Sequence, residues 1–371
     1  FPVVIKPADG GGGIGMRIAR NARELKKYFR EARQEAFKAF GSDRVYIEKV
    51  IVGAKHIEMQ IVADNYGNIV WLGERDCSIQ RRHQKIIEET PSPALNDGER
   101  EKLGELAIKA AKTIDYNNVG TVEFLYKDGK FYFLEINARL QVEHGITEIV
   151  TGIDLVHEQM RLAYGEELGF SQKDVKIRGW AIEARITAED PLHQFAPSPG
   201  KIIYYEEPGG MGIRVDSHLY RGYEIPPFYD SLISKLIAWG QNRTEAIKRL
   251  RRGLSEYIIS GVKTTIPLLR KITETEEFLN GTYDTMFLTS KLKDFIEEII
   301  EEEYRKMAAI AAIMMINNNI SVQKKQQKKE SGNTSIKKSR SPNIGYVVHQ
   351  LSRWAKKISS WKKSSFYTSY Y

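Results

Sequence analysis

The sequence predicts an α/β protein of the α+β kind, followed by a basic flexible tail. Alternating, β-branched segments are interspersed with apolar stripes at helical spacing, so strands and helices are both expected. A composition of 42% hydrophobic and 28% charged residues is that of a globular protein. The tail, residues 321–371, holds 12 Lys and Arg residues against one acid, Glu330. The net charge of +8 therefore stems from the tail and is no argument for a nucleic-acid-binding fold.

The length of 371 residues suggests two or three folding units. The single cysteine, Cys77, cannot form an internal disulfide, which favours a reducing compartment and a cytoplasmic location. The longest apolar run, Met307 to Ile316, is about half of the ~20 residues that a membrane span needs, so no membrane segment is expected. The chain starts inside a strand-like run at Phe1, with no signal peptide, and we expect a fragment whose N-terminus lies upstream.

The first part of the chain predicts a strand, a glycine-rich loop, a second strand and a helix. Residues 1–6 (FPVVIK) are apolar and β-branched, and residues 16–20 (MRIAR) alternate, which favours strands on both sides of the loop. Asn21 is a typical helix N-cap, and apolar residues follow it at helical spacing as far as Phe40. Alternation predicts three further strands, at residues 44–50, 56–64 and 68–75.

A helix over residues 97–115 and a hairpin come next. The hairpin, GTVEFLYKDGKFYFLEIN, is expected to turn at Asp128-Gly129, because Asp-Gly between alternating strands favours a tight turn. Later patterns predict helices over residues 152–164, 243–257 and 289–316 and strands over residues 178–186 and 200–216. From Asn317 the Asn-rich and Lys/Gln/Ser-rich composition predicts a flexible linker.

The glycine run at residues 10–15 matches GxGxxG, but a strand-like segment follows it where a dinucleotide-binding fingerprint needs a helix. No Gly-Lys-Ser/Thr sequence closes it, so it is not a Walker A loop. Between two strands, such a loop is a flap whose backbone amides can cover phosphates, with Lys6 supplying positive charge. A glycine-rich turn without a ligand fits the pattern equally well.

The hairpin at residues 120–137 suggests a metal site. Glu123 and Glu135 lie at nearly equal distances on either side of Gly129, so they should face each other across the two strands. Carboxylates facing each other at ~5 Å repel, and a cation between them removes the repulsion. Paired carboxylates near a phosphate-binding loop suit Mg²⁺.

Polar residues continue at every second position after Glu135, as Asn137, Arg139, Gln141 and Glu143. In an extended chain these side chains share one face. An ordinary exposed strand also alternates in this way, although such faces favour Thr, Lys and Ser over acids and amides. The polar stretch 78–85 (SIQRRHQK) fits either an anion site or a surface loop. Arg185, in an alternating strand, is by itself typical of a structural arginine.

The order of seven motifs closely resembles the biotin carboxylase family of ATP-grasp ligases over about residues 1–300. The motifs are KPADGGGGIGMR, VYIEK, GERDCSIQRRHQKIIEE, GTVEFLY, FLEINARLQVEH, EARITAEDP and PSPGKI. The resemblance implies an ATP-grasp fold with a biotin carboxylase C-terminal domain, in which the family's N-terminal domain is missing from this sequence. Residues 1–50 would be the lid, 51–300 the ATP-grasp core and C-terminal domain, 301–320 a helical extension and 321–371 the basic flexible tail.

The resemblance implies ATP-dependent carboxylation of biotin by bicarbonate, through carboxyphosphate, with Mg²⁺ or alternatively Mn²⁺. It assigns ATP binding to Lys6, Gly10, Gly11, Gly12, Gly13, Gly15, Glu48, Lys49, His56, Gln80 and His83. The implied metal ligands are Glu123, Glu135 and Asn137. Bicarbonate would be bound by Lys85, Arg139, Gln141 and the Val142 amide, with Glu143 as the base and Arg185 stabilising the enolate oxygen of biotin. Gly145 departs from the family, which usually has proline there.

No Ala-Met-Lys-Met biotinylation sequence occurs, so biotin would arrive on a carrier protein. The implied partners are the biotin carboxyl carrier protein and a carboxyltransferase subunit of an acetyl-CoA, propionyl-CoA or pyruvate carboxylase, in a homo-oligomeric enzyme without membrane or specific nucleic-acid partners. Two alternatives stay open. One is another bicarbonate-using ATP-grasp ligase, similar to carbamoyl-phosphate synthetase, and the other is a non-catalytic scaffold that binds partners through its tail.

Overall fold

The computed structural model describes residues 1–10 and 14–330, with side chains described to residue 316. Residues 1–293 form one compact unit, and a second unit begins at Asp294. The strands are β1 Val3–Pro7, β2 Arg17–Ala19, β3 Val45–Lys49, β4 Lys55–Ala63, β5 Ile69–Arg81, β6 Gln84–Thr90, β7 Asn118–Lys127, β8 Lys130–Asn137, β9 Trp180–Thr187, β10 Glu189–Asp190, β11 Ala196–Pro197, β12 Gly200–Lys201, β13 Tyr204–Glu206, β14 Ile213–Ser217, β15 Glu224–Ile225, β16 Leu232–Gly240 and β17 Ile258–Ser260. The helices are α1 Ala22–Phe40, α2 Asp97–Thr113, α3 His144–Thr151, α4 Leu155–Ala163, α5 Arg243–Glu256, α6 Ile266–Glu274, α7 Glu276–Leu279 and α8 Phe287–Glu330.

The first 50 residues form a small antiparallel sheet, in the order β2-β1-β3, together with α1. The glycine-rich loop therefore connects two paired strands, as predicted. The predicted N-cap is also confirmed, because the Asn21 side chain accepts a hydrogen bond from the Glu24 amide. Ala32 and Ala36 are fully buried on α1, whose small residues allow the helix to lie close to its neighbours.

The main sheet has eight strands in the order β14-β16-β9-β6-β5-β4-β7-β8, and three two-stranded sheets, β10-β11, β12-β15 and β13-β17, accompany it. Helix α2 lies on one face, where Leu103 and Ala107 pack with Ile57, Met59 and other apolar residues. Because side chains alternate along a strand, the opposite face of β4 presents His56, Glu58 and Gln60. Burial of the apolar face against α2 thus fixes which residues of β4 reach the polar face.

Hairpin β7–β8 turns at Asp128 and Gly129, both with positive φ, and pairs Glu123 with Glu135, as predicted. The surface-loop interpretation of residues 78–85 is wrong, because β5 continues to Arg81 and β6 begins at Gln84. Only Arg82 and His83 form the turn, and Ser78 is fully buried. A long buried strand explains this difference, because polar side chains that satisfy one another can line a strand inside the protein.

Several later elements differ from expectation. The predicted strand over 200–216 is three short strands, β12, β13 and β14, separated by turns that include Gly210 and Gly212 at positive φ. Helix α3 and strand β16 were not predicted, because both are short apolar segments of ambiguous period. The predicted helix over 152–164 begins later, at Leu155 after the Asp154 cap.

The last helix, α8, runs from Phe287 to Glu330, so the linker predicted from Asn317 is helical as far as residue 330. Asn costs well under 1 kcal/mol relative to Ala in a helix, and the Lys and Gln residues that follow are good helix formers. The flexible tail predicted for residues 321–371 lies outside the described residues from 331 onward. Among the helices of the described part, none is long and apolar enough to cross a membrane.

Candidate active site

Lys85, on β6, is the centre of a buried polar cluster on the sheet face opposite α2. Its ammonium donates to carboxylates of Glu58 at 2.5 Å, Glu123 at 2.9 Å and Glu143 at 2.6 Å, and to Gln141 Oε1 at 3.2 Å. Burial opposes the charged form of Lys85, but the surrounding carboxylates outweigh burial and raise its pKa well above its usual value. Lys85 is therefore a permanent cation that draws three carboxylates together.

Glu143 receives two cations. Its Oε1 accepts from Lys85, and its Oε2 accepts from Arg185 Nη2 at 2.8 Å. Burial would raise the pKa of Glu143, but Lys85, Arg185 and Arg75 prevail and hold it well below its ordinary value. At 2% exposure, Glu143 is an ionised carboxylate in a nearly dry site, which is the state that a proton acceptor requires.

The backbone around Glu143 explains its orientation. Glu143 is the N-cap residue of α3, yet its side chain makes no capping hydrogen bond because it is held by the two cations. Gly145 is buried in the first turn, and a Cβ atom there would lie 2.6 Å from Ile237 Cδ1. The glycine that departs from the family pattern is thus closely packed against β16 at this position.

The predicted extended row from Glu135 to Glu143 is wrong beyond Asn137. Strand β8 ends at Asn137, and the chain then turns back over the sheet toward Lys85, so only Gln141 and Glu143 join the cluster. A longer β8 would gain hydrogen bonds only from β7, because β8 is an edge strand. Gln141 and Glu143 instead accept hydrogen bonds from the buried ammonium of Lys85 at the centre of the sheet. Arg139 stays exposed and donates to Asn137 Oδ1 at 3.3 Å.

One side of the cluster consists of three side chains from neighbouring strands: His56 on β4, Gln80 on β5 and Glu123 on β7. His56 Nε2 lies 3.1 Å from Glu123 Oε2, and Gln80 Nε2 lies 2.7 Å from His56 Nδ1. Burial raises the pKa of Glu123, but His56 and Lys85 overcome this and depress it strongly. These three residues, predicted from separate motifs, are brought together by the pairing of β4 with both β5 and β7.

The predicted metal ligands separate into two environments. Glu123 is buried and lies with His56 and Glu58 in a group whose potential ligand atoms are within 4.8 Å of one another. Glu135 is exposed on β8, directly opposite Glu123 in the register, and Asn137 pairs with Thr121 on the same two strands. The carboxylate and amide oxygens of Glu123, Glu135 and Asn137 are hard donors that fit Mg²⁺, with Glu135 on the open side.

The three-stranded sheet β2-β1-β3, which carries the glycine-rich loop of the predicted flap, contributes a second group of candidate residues. Lys6 on β1 lies 2.6 Å from the Glu48 carboxylate on β3, and Lys49 is exposed at the end of the same strand. Gly15 has positive φ, and Gly10 lies against the Phe40 ring, whereas Gly11, Gly12 and Gly13 lie outside the described residues. Burial and the charges of Lys6 and His56 lower the pKa of His83, which favours its neutral form.

Four residues of the site were missed in the sequence, of which Glu58, Arg75 and Glu88 are fully buried and Lys235 is half-buried. Glu58 bridges Lys85 and Arg75, and Arg75 is fully buried with further hydrogen bonds to Gln60, Thr121 and Thr147. Lys235 on β16 donates to the Val142 carbonyl at 2.7 Å, and Glu88 on β6 accepts from Arg185 Nε at 2.6 Å. The alternation of His56, Glu58 and Gln60 with apolar residues could have indicated that Glu58 shares a face with His56. No local pattern indicates that Lys235 belongs to the site.

Two family models match consecutive regions of this chain. A family model described as the ATP-binding domain of the carbamoyl-phosphate synthase L chain matches residues 1–171. A second model, the biotin carboxylase C-terminal domain, matches residues 183–290. All of the candidate site residues except Arg185 and Lys235 fall in the first match, so the cluster around Glu143 combines residues from both matched regions.

Similar proteins include a pyruvate carboxylase subunit of Methanothermobacter thermautotrophicus, 56% identical over 83% of this chain and 62% of the relative. Biotin carboxylase 1 of Bacillus subtilis is 54% identical over 78% of this chain and 64% of the relative. Among solved structures, the biotin carboxylase domain of Hydrogenobacter thermophilus 2-oxoglutarate carboxylase, in complex with MgADP, ADP and bicarbonate, superimposes with a TM-score of 0.77 at 50% identity and covers 80% of this chain and 65% of that one. The chain thus spans somewhat less than two thirds of the length of these relatives.

Proposed function

Because the chain belongs to the biotin carboxylase family of ATP-grasp ligases, we propose that it carries the site for ATP-dependent carboxylation of biotin by bicarbonate. The observation that carries the proposal is the convergence of Lys85 and Arg185 on the buried carboxylate of Glu143, at 2.6 and 2.8 Å. An ionised base flanked by two cations suits the deprotonation of a small anion. The Hydrogenobacter relative, whose complex contains bicarbonate and MgADP, supports this choice of substrates.

In the proposed reaction, bicarbonate binds against Lys85, Arg139, Gln141 and the Val142 amide. Lys85 and Gln141 are already within hydrogen-bond distance of each other, and Lys235 holds the Val142 carbonyl. Arg139 lies exposed at the edge of this group and supplies a further guanidinium. Glu143 accepts the bicarbonate proton, which makes the remaining oxygen a better nucleophile. This oxygen attacks the γ-phosphorus of ATP, the bond to the β–γ bridging oxygen breaks, and carboxyphosphate forms with ADP as the leaving group.

The nucleotide is proposed to bind between the flap and the polar face of the sheet. Lys6 and the amides of the glycine-rich loop would contact phosphates, because closely spaced backbone amides favour anions. Glu48 and Lys49 on β3 would contact the base, and His56, Gln80 and His83 would complete the pocket. Phosphoryl transfer needs mainly positioning and neutralisation of charge, which these residues provide.

Mg²⁺ would be held by Glu123, Glu135 and Asn137 and would neutralise the phosphate charge when bound. We expect Glu123→Gln and Glu135→Gln each to weaken Mg²⁺-dependent ATP binding, because each removes one ligand charge. Isothermal titration of ATP at several Mg²⁺ concentrations measures the effect. The exposed Glu105→Gln variant on α2 is a matched control. Metal-dependent affinity that stays at the wild-type value in both variants would contradict the assignment.

Arg185 would stabilise the oxygen of biotin on which negative charge develops during carboxylation. Its pKa, lowered by burial but raised more strongly by Glu88 and Glu143, stays above the ordinary value, so its charge is permanent. We propose that biotin is presented by a carrier protein and that a carboxyltransferase subunit uses the product, as the name of the Methanothermobacter relative, a pyruvate carboxylase subunit, suggests. An acetyl-CoA or propionyl-CoA carboxylase would use the same half-reaction.

Biotin dependence tests the proposal against the alternative of a carbamoyl-phosphate-synthetase-like ligase, which the name of the first family model keeps open. Bicarbonate-dependent release of ADP is measured in a fusion that supplies the unmatched segment of the Methanothermobacter relative. We expect free biotin to increase ADP release and Arg185→Met to abolish the increase. ADP release that depends on bicarbonate but ignores biotin would favour the alternative, and ATP binding without any turnover would favour a non-catalytic scaffold.

A further inference from the structure

Two buried carboxyl groups that the proposed reaction does not use lie behind Arg185. Glu88 on β6 and Glu183 on β9 occupy directly paired positions of neighbouring antiparallel strands, and neither is exposed to solvent. Side chains at paired positions project from the same face of a sheet, with Cβ atoms ~5 Å apart. Two ionised carboxylates at this separation in a buried site would repel each other, so a cation or a proton has to compensate one of them.

Among the described residues, a cation is hydrogen-bonded to only one of these two carboxyl groups. Arg185 Nε donates to Glu88 Oε1 at 2.6 Å, while Arg185 Nη2 donates to Glu143. The other Glu88 oxygen, Oε2, and both oxygens of Glu183 are buried without a hydrogen-bond partner among the described residues. A single proton on Glu183 would turn one of these orphaned acceptors into a donor for another.

The remaining charged groups around the pair are already engaged. Lys235, on the strand next to β9, donates to the Val142 carbonyl and lies 3.2 Å from Asp216. Lys85 is bound to the carboxylates of the central cluster. Helix α3 covers this face of β9 with Ile146 and Val150, which pack with Ala181 and Ile237. The titratable groups of α3 have other contacts, since His144 Nδ1 lies 2.8 Å from the Gln141 carbonyl and Glu148 accepts from Arg214.

We propose that Glu88 and Glu183 form a carboxylate–carboxylic acid pair that shares one proton and positions Arg185. Glu183 carries the proton and donates it in a hydrogen bond to Glu88 Oε2, while Glu88 keeps its negative charge for Arg185 Nε. The guanidinium is then held between Glu88 on one side and Glu143 on the other. Glu88 and Glu183 are positioning residues, and the proposal rests on the proposed function only for what Arg185 does to a substrate.

The electrostatics of the pair support this distribution of the proton. Burial raises the pKa of Glu88 to about 7, against the opposing effect of Arg185 and with a further contribution from Glu143. Burial and the neighbouring Glu88 raise the pKa of Glu183 well above its ordinary value. Because the two groups titrate together, the proton belongs to the pair, and Glu183 holds it because Arg185 bonds directly to Glu88.

Infrared spectroscopy of the chain tests the protonation directly. At pH 7 the wild-type protein should show the carbonyl band of a buried, protonated carboxylic acid, and Glu183→Gln should remove it. Glu189→Gln is a matched control, because Glu189 is also buried but its carboxylate is paired with Arg81 and Ser231. A wild-type spectrum without such a band, or a Glu183→Gln spectrum in which the band keeps its full intensity, overturns the proposal.

The Nε–H signal of Arg185 in a ¹H–¹⁵N spectrum, assigned with Arg185→Lys, tests the positioning. Glu88→Gln should shift this signal and speed its exchange with water, because the charge-assisted hydrogen bond is lost. Glu183→Gln should preserve the signal, because the amide can donate to Glu88 Oε2 as the acid does. A signal that changes equally in both variants, or in neither, contradicts the assigned roles.

Thermal stability provides a third readout. A carboxyl whose folded-state pKa is raised takes up a proton on folding, so the wild-type stability falls as pH rises above the unfolded-state pKa of about 4.3. Glu183→Gln removes this pH dependence, and its melting temperature relative to wild type should increase steadily from about pH 5 to about pH 8. A difference that is flat or decreases with pH would show an ionised Glu183. None of the three measurements uses turnover, so their outcome is separate from that of the proposed reaction.

Discussion

Replacing Glu143 with Gln is expected to lower bicarbonate-dependent ATP cleavage by about 10²–10⁴-fold, the usual contribution of a general base. Glutamine keeps the shape of the side chain, but it cannot take up a proton at neutral pH. Its single amide oxygen can replace only one of the two carboxylate oxygens that accept from Lys85 and Arg185. Since Glu143 is ionised in the wild type, the loss should be similar across neutral pH. ATP affinity, measured by calorimetry, should change little, because Glu143 is not among the residues proposed to bind ATP.

The assay is run in the fusion described above, with Glu105→Gln as the control for an exposed glutamate on α2. Wild-type turnover in Glu143→Gln would exclude this residue as the base. A parallel loss of ATP binding would indicate that Glu143 acts through the structure of the cluster. The cause would then be the loss of one of the three carboxylates that compensate the charge of Lys85.

Local chemistry made part of this site predictable from the sequence. The Asn21 cap, the Asp128-Gly129 turn and the pairing of Glu123 with Glu135 all depend on residues close together in the chain. For such short-range features, the pattern of side chains and the preferences of turn residues determine the structure. The resemblance to a family then supplied roles for side chains whose positions local patterns could not provide.

Long-range pairing accounts for what the sequence did not predict. The Lys85–Glu143 contact joins residues 58 positions apart, and it forms because the chain leaves β8 at Asn137 and returns over the sheet. The alternation of polar residues through Glu143 is typical of a strand. The attraction between the buried ammonium of Lys85 and the Glu143 carboxylate favours a turn toward the sheet instead. Lys235 reaches the Val142 carbonyl only because β16 pairs with β9, which no local pattern reveals.

Lys85→Met should cause the largest loss of stability in the site. Methionine has a similar length and no charge, so Glu58, Glu123 and Glu143 would remain buried without their common cation. Removing one partner of a buried ion pair costs about 3–5 kcal/mol, and here the free energy of unfolding should fall by at least that range. Urea unfolding of the chain, followed by circular dichroism, measures the change, and Lys130→Met on exposed β8 is the matched control.

The pH dependence of the loss of stability in Lys85→Met shows whether the loss comes from uncompensated carboxylate charge or from altered packing. In the wild type, the pKa values of Glu123 and Glu143 are lowered below their unfolded values, so their stabilising contribution is present at neutral pH and is lost as pH falls through the folded-state values. In Lys85→Met these carboxylates should protonate at higher pH, which relieves the repulsion. The difference from wild type should therefore be largest near pH 7 and shrink toward pH 4. A difference that is independent of pH, or no larger than that of Lys130→Met, would show that the ammonium of Lys85 does not hold the cluster together.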